Sequence, residues 1–150
     1  MDFNKITADL DFIGSSIHNV EVKADMIKIS NQTKKSFALD IKCSKPLIKD
    51  DEKFGKLLMQ VDVSLNKEDE TLEPDTFRIV LEGVFKASIE VDDDRFMELL
   101  NVNGGAALFS IARSKIEVLS SITYSEGKIV LPMINIIQYF SERNAQKNDK

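Results

Sequence analysis

Apolar and polar side chains alternate with a period of two up to Val91, and this limits the fold more than any other feature. Val20, Val22, Ala24 and Met26 alternate with Asn19, Glu21, Lys23 and Asp25, and Phe37, Leu39, Ile41 and Cys43 with Ala38, Asp40 and Lys42. Leu57, Met59, Val61, Val63 and Leu65 interleave with Lys56, Leu58, Gln60, Asp62 and Ser64. The last run sets Phe77, Ile79, Leu81, Phe85, Ala87, Ile89 and Val91 against Arg78, Glu82, Lys86, Ser88 and Glu90. Successive strand side chains point to opposite faces, so each run is a strand with one dry and one wet face. Parallel sheets are covered on both faces, so a sheet with a wet face is antiparallel.

Four such strands in succession predict a meander. Asn31-Gln32-Thr33 is short enough for a hairpin, and the polar, proline-containing stretches 46–53 and 66–75 read as loops. Gly83, inside the long last strand, predicts a bulge or a close approach of backbone. Ile27 and Ile29 break the alternation of the first strand, which predicts a bulge or an end paired on both faces.

Beyond Val91 the period lengthens. Asp92-Asp93-Asp94 precedes Phe96, Met97, Leu99 and Leu100, placing carboxylates where a helix N-terminus favours negative charge. Asn103-Gly104-Gly105 reads as a helix break. A long helix follows from about Ala106 to Thr123, with Leu108, Ile111, Ala112, Lys115, Ile116, Leu119 and Ile122 on one face. Gly127 marks its end or the turn beyond. Ile129-Val130-Leu131 stops at Pro132. Asn135 then caps a short last helix, with Gln138 three residues on and Ile136, Ile137, Tyr139 and Phe140 on its inner side. Strands followed by helices make an α+β fold: a four-stranded antiparallel sheet with one long and one short C-terminal helix on its dry face.

A single domain over 1–150 accounts for the length, with flexible ends expected at 1–12 and 143–150. The formal net charge of −5 and the lack of Lys/Arg runs argue against nucleic acid and anionic lipid as partners. The acidic start MDFNKITADLDF is unlike a signal peptide, and no stretch reaches the roughly 18 apolar residues of a membrane span. A lone cysteine, Cys43, fits a reducing compartment, so a cytoplasmic location is expected.

Catalytic chemistry finds few groups. His18 is the lone histidine, and only a pairing with Cys43 could build a nucleophile and base. Cys43 on an apolar strand face reads more simply as a small hydrophobe. The acidic run lacks the spacing of a calcium loop, and Gly104-Gly105 lacks the lysine and hydroxyl of a phosphate loop. No enzyme, metal site or cofactor is therefore expected. What the sequence has in surplus is apolar surface on the sheet, more than two helices cover easily, which leaves room for a groove or an oligomer interface.

The segment Gly104–Phe140 resembles the second half of SecB-type export chaperones, in Ala107, Leu108, Phe109 and Arg113, then Leu131, Pro132, Asn135 and Phe140. Gly83-Val84-Phe85 in a long fourth strand fits the same family. The resemblance implies an ATP-independent holdase that is a dimer or tetramer. It would bind unfolded preproteins for the SecA motor or, as some relatives do, an antitoxin. It also implies an apolar client groove between Phe37, Leu39 and Ile41 of the second strand and Leu131, Pro132 and Ile134, with Phe109 and Ile116 in the floor. Export chaperones carry a more acidic sheet and tail; here Glu21, Lys23, Asp25, Lys42, Asp62, Glu82 and Lys86 mix on the wet face, and Lys147 and Lys150 end the chain. A closed domain that binds one folded partner is the competing reading.

Overall fold

A computed structural model describes residues 8–148. Five strands come first: β1 (Asp11–Lys23), β2 (Lys35–Cys43), β3 (Leu47–Lys49), β4 (Glu52–Leu65) and β5 (Asp75–Ser88). The helices α1 (Asp93–Leu99), α2 (Gly105–Thr123) and α3 (Ile136–Asn148) follow. All strand pairs are antiparallel, and the α+β layout is the expected one.

The topology departs from the expected meander. The sheet order is β1-β5-β4-β2, with the short β3 paired to β4. β1 lies beside the last strand, Val20 opposite Ile79 and Val22 opposite Phe77, which is a Greek-key arrangement. Residues 31–33 therefore close no hairpin. The connection carries the chain from one sheet edge to the other, past the end of α2. Ser125 N–H donates to Ile27 C=O at 2.9 Å, and Ile29 N–H to Glu126 C=O at 3.1 Å. Ile29, which broke the alternation, is buried there, against a Gly127 held at φ +85 where a Cβ would lie 2.4 Å from the Ile29 carbonyl oxygen.

The fifth strand was hidden in the stretch read as a loop. Leu47 to Lys49 fold back on Glu52 to Phe54 through Asp50 and Asp51, both left-handed (φ 51 and 59). Such a two-residue turn matches strand twist but usually carries Asn-Gly or Asp-Gly, so an Asp-Asp pair disguises it.

α2 covers the middle of the sheet. The dry side chains Leu57, Met59, Val61, Phe77, Ile79, Leu81 and Phe85 pack with Phe96, Leu100, Leu108, Ala112 and Ile116. Asp92 caps α1, its carboxylate accepting from Arg95 N–H at 2.9 Å. The chain does not break at Gly104-Gly105: a wide π turn over Leu100–Gly104 joins α1 to α2. Those glycines serve contact instead, since a Cβ on Gly104 would lie 2.9 Å from Leu57. Gly83 likewise sits at a close approach, beneath Leu108, and not at a bulge of β5. Ile122 and Ile137, expected on inner faces, are exposed. Of the ends expected to be flexible, Asp11 and Phe12 open β1 and α3 runs on to Asn148, while 1–7 and 149–150 lie outside the described residues.

Asp75 holds the crossover in place. Its carboxylate, buried in the sheet's end, accepts from Asp25 N–H and Met26 N–H at 3.2 Å and from the Tyr124 hydroxyl at 2.9 Å. Burial and the adjacent Asp75 push the Tyr124 phenol well above its ordinary range, so it remains a donor. The Lys67 ammonium, 3.7 Å from Asp75 and 2.5 Å from Asp25, holds the Asp25 carboxyl below the usual range. Replacing Asp75 by Ala leaves three donors without their acceptor, one of them the buried Tyr124 hydroxyl, so urea denaturation should show a loss of about 3 kcal/mol. Asp51→Gly should instead gain about 0.5–1 kcal/mol by relieving a left-handed residue with a side chain.

Candidate functional site

An apolar cavity of about 300 Å³ opens beside β2. Phe37 and Leu39 of β2 form one wall and Val61 of β4 the floor, with Phe109 of α2 behind. The returning segment Leu131, Pro132 and Ile134 forms the other wall, and Asn135, Gln138, Tyr139 and Glu142 of α3 rim it. Its existence follows from the helix axis. α2 packs on β4 and β5, so the dry face of the edge strand β2 is left to a thin segment and to one side of α3.

Each wall has its own anchor. Ile129 N–H donates to the Ser120 hydroxyl at 2.7 Å, pinning the returning segment to α2 and burying Ile129 and Leu131. Arg113 reaches Met133 Sδ at 3.0 Å. Asn135 caps α3, its side-chain oxygen accepting from Gln138 N–H at 3.1 Å, while the Gln138 amide turns outward to Glu142 at 2.7 Å. Apolar walls and a polar rim suit an apolar side chain carried on a polar main chain. Phe37 remains 40% exposed although it faces the dry side, which marks the cavity as open.

Of the residues expected in a groove, Phe37, Leu39, Phe109, Leu131, Pro132 and Ile134 meet in this cavity. Ile41 and Ile116 do not. Ile41 is buried beneath α3, and Ile116 lies in the core under α2. Val61 and the α3 rim were not among the expected groove residues, because Val61 reads as core from its strand period and Asn135 and Gln138 read as helix caps. Glutamine and glutamate at i and i+4, Gln138 and Glu142, were the available signal.

The remaining candidates stay apart. His18 belongs to β1, its Nε2 3.8 Å from Glu82, while Cys43 ends β2 at the opposite sheet edge. Cys43 Sγ instead contacts Asn101 Oδ1. Burial pushes the thiol up to about 11, against the opposing pull of Arg143. Among the described residues no three His, Cys, Asp or Glu side chains gather to hold a metal. No helix among them is long and apolar enough to cross a membrane.

No protein-family model matches the chain, and no curated protein matches it significantly. Solved structures do match. One is the SecB-like chaperone Rv1957 of Mycobacterium tuberculosis, in complex with a ChAD peptide from the Rv1956 HigA1 antitoxin. It aligns at a TM-score of 0.60 over 84% of this chain and 91% of that one, with 11% identity. At that identity the likeness is one of fold: the chain has a SecB-like fold.

Cys43 supplies a check on this geometry. With its acidity shifted from 9.0 to about 11, the thiolate at pH 8 is about a hundredfold scarcer than in an ordinary thiol. Iodoacetamide should label it correspondingly slowly, at a rate still climbing above pH 10. Labelling at the rate of free cysteine would mean that α3 lifts readily from β2.

Proposed function

We propose that the protein is an ATP-independent chaperone that holds extended, apolar-rich segments of unfolded polypeptides in the cavity beside β2. The observation that carries this reading is the open apolar cavity, which keeps Phe37 exposed on a face that every other sequence signal makes dry. One client side chain buried there contributes roughly 1.5–3 kcal/mol, and ordering a disordered chain takes several back. Single segments then bind weakly, and a client is held through several sites at once.

Several such sites require more than one copy, and β1 offers the means. Among the described residues its outer edge, thirteen residues long, has no partner strand, and Phe12, Ile13, Ile17, Val20 and Val22 are exposed. Exposed edges of this kind are normally blunted, and pairing with β1 of a second copy removes this one. The protein is thus read as a dimer or a larger even assembly.

For the client, an antitoxin is the stronger reading than a preprotein delivered to SecA. The wet face of the sheet pairs its own charges: Arg78 with Asp62 at 2.6 Å, Lys86 with Glu52 at 2.5 Å and Lys56 with Glu82 at 3.2 Å. These pairs leave the acidic residues among them less free for a basic docking domain. The fold neighbour is held in complex with a peptide from an antitoxin, which supports this reading. A reducing, cytoplasmic setting fits the unpaired Cys43.

The test is suppression of aggregation of reduced α-lactalbumin without ATP, with the assembly mass recorded in the same buffer. The wild-type protein should suppress at near-stoichiometric amounts. Phe37→Asp should abolish most of that effect while the urea midpoint stays put, since Phe37 is half-exposed. Val20→Lys should lower the mass. A protein that leaves aggregation untouched and binds no unfolded chain would sink the holdase reading in favour of one folded partner.

A further inference from the structure

The outer edge of β2 is closed at one end and open at the other, and two side chains of α3 do the closing. Ile41 N–H donates to the Tyr139 hydroxyl at 3.1 Å, and the Arg143 guanidinium donates to the Ile41 carbonyl. The Tyr139 hydroxyl also faces the Leu39 carbonyl at 3.5 Å. Together they occupy the positions that a neighbouring strand's main chain would take. Asp40 steadies the arrangement, its carboxylate 3.6 Å from Arg143.

Toward Lys35 the edge is bare. Lys34 C=O and Ser44 N–H bond to the β4 side, so the even-numbered residues face β4 and Lys35, Phe37, Leu39 and Ile41 face outward. Among the described residues nothing bonds to the N–H and C=O of Lys35 and Phe37, or to the N–H of Leu39. These groups run alongside the cavity. Their complement is an extended main chain whose alternate side chains drop into an apolar hole. At the mouth, the Glu142 carboxylate has only Gln138 as a partner among the described residues, which complements a basic client residue.

We propose, resting on the reading of the cavity as a client groove, that Tyr139 and Arg143 form a stop that sets the client's register. An extended polypeptide segment adds as a strand along Lys35–Leu39, seats an aromatic or large aliphatic side chain in the cavity, and ends where α3 holds Ile41. A lysine or arginine next to that side chain meets Glu142. The Tyr139 hydroxyl and Arg143 act on the client through the strand edge at Ile41, so in this role they are positioning residues, while the Tyr139 ring also rims the cavity.

The experiment is amide hydrogen exchange followed by NMR on the full chain. The probe is a synthetic nine-residue peptide alternating phenylalanine or leucine with threonine and carrying one arginine. Binding should slow exchange about tenfold at Lys35, Phe37 and Leu39 and leave Ile41 unchanged. In the Y139F/R143Q protein the free Ile41 amide should exchange faster, and the peptide should now protect it as well. N-methylation of alternate peptide residues, which alters no protein residue, should weaken binding about fivefold to tenfold at every second position only. Binding with uniform N-methyl effects would overturn strand addition and leave the groove reading standing. An unchanged footprint in the double variant would overturn the stop. Protection of residues 35–39 that rises with protein concentration without peptide would assign the edge to a second copy and overturn the proposal. A peptide that does not bind at all would remove the groove reading along with it.

Discussion

Asp75 is the interaction on which the remaining architecture depends. A carboxylate in the dry end of a sheet is costly unless its acceptor positions are filled. Here two main-chain N–H groups from the crossover, the Tyr124 hydroxyl and the Lys67 ammonium fill them. The partners come from three separate parts of the chain. The arrangement is satisfied only when the chain after β1 turns across the sheet's end and α2 stops beside it. A meander would carry residues 25–26 away from Asp75 and leave the carboxylate buried without them. One buried charge thus discriminates between two topologies that place the same hydrophobic residues on the same face.

That discrimination explains what was legible in the sequence. Side-chain alternation reports the faces of a strand, and it located β2, β4 and β5 with their dry sides, although β5 ends at Ser88 and leaves Ile89 exposed beyond it. Alternation carries no information about which strand lies beside which, so the Greek-key order escaped. Its trace was Asp75 at the start of a strand together with Ile27 and Ile29 out of phase in the connection. The helix signals behaved similarly. Asp92 and Asn135 cap helices as their types predict, because capping is local. Gly104-Gly105 was misread because a break and a close helix–sheet contact favour the same residue, and only packing against Leu57 decides between them. For the cavity, the resemblance of residues 104–140 to a known family brought together Phe37, Leu39, Phe109, Leu131, Pro132 and Ile134. Ile41 was placed there by strand period alone, which cannot foresee that α3 covers the end of β2.

The cavity is a consequence of coverage and not of any special residue. A twisted four-strand layer is wider than one helix, and α2 takes the middle because β4 and β5 have the longest dry runs. Both edge strands are then left with partial cover. On the β1 side nothing from the described chain arrives, and Phe12 rests against Phe85 with its ring centroid 5.3 Å away and its outer face in water. On the β2 side the returning segment and α3 arrive but do not fill the space. Substitutions that enlarge Pro132 would narrow the cavity without touching the core cluster.

The two edges therefore receive opposite treatment, and the difference is physical. β1 is long, carries register shifts between Phe12 and Gly14 and between Ile17 and Asn19, and exposes Phe12, Ile17, Val20 and Val22 along its dry face. A bulged strand is a poor template for an arbitrary extended peptide, yet it pairs well with a strand bearing the same irregularities. β2 is shorter, has an unbroken register with β4, and ends under Tyr139 and Arg143. A regular edge of limited length accepts many sequences but only over a few residues, which favours weak and general contact. On the proposed reading, the irregular edge suits its own copy and the regular, truncated one suits extended chain of many kinds. Self-assembly and client contact would then use different main-chain groups of one sheet.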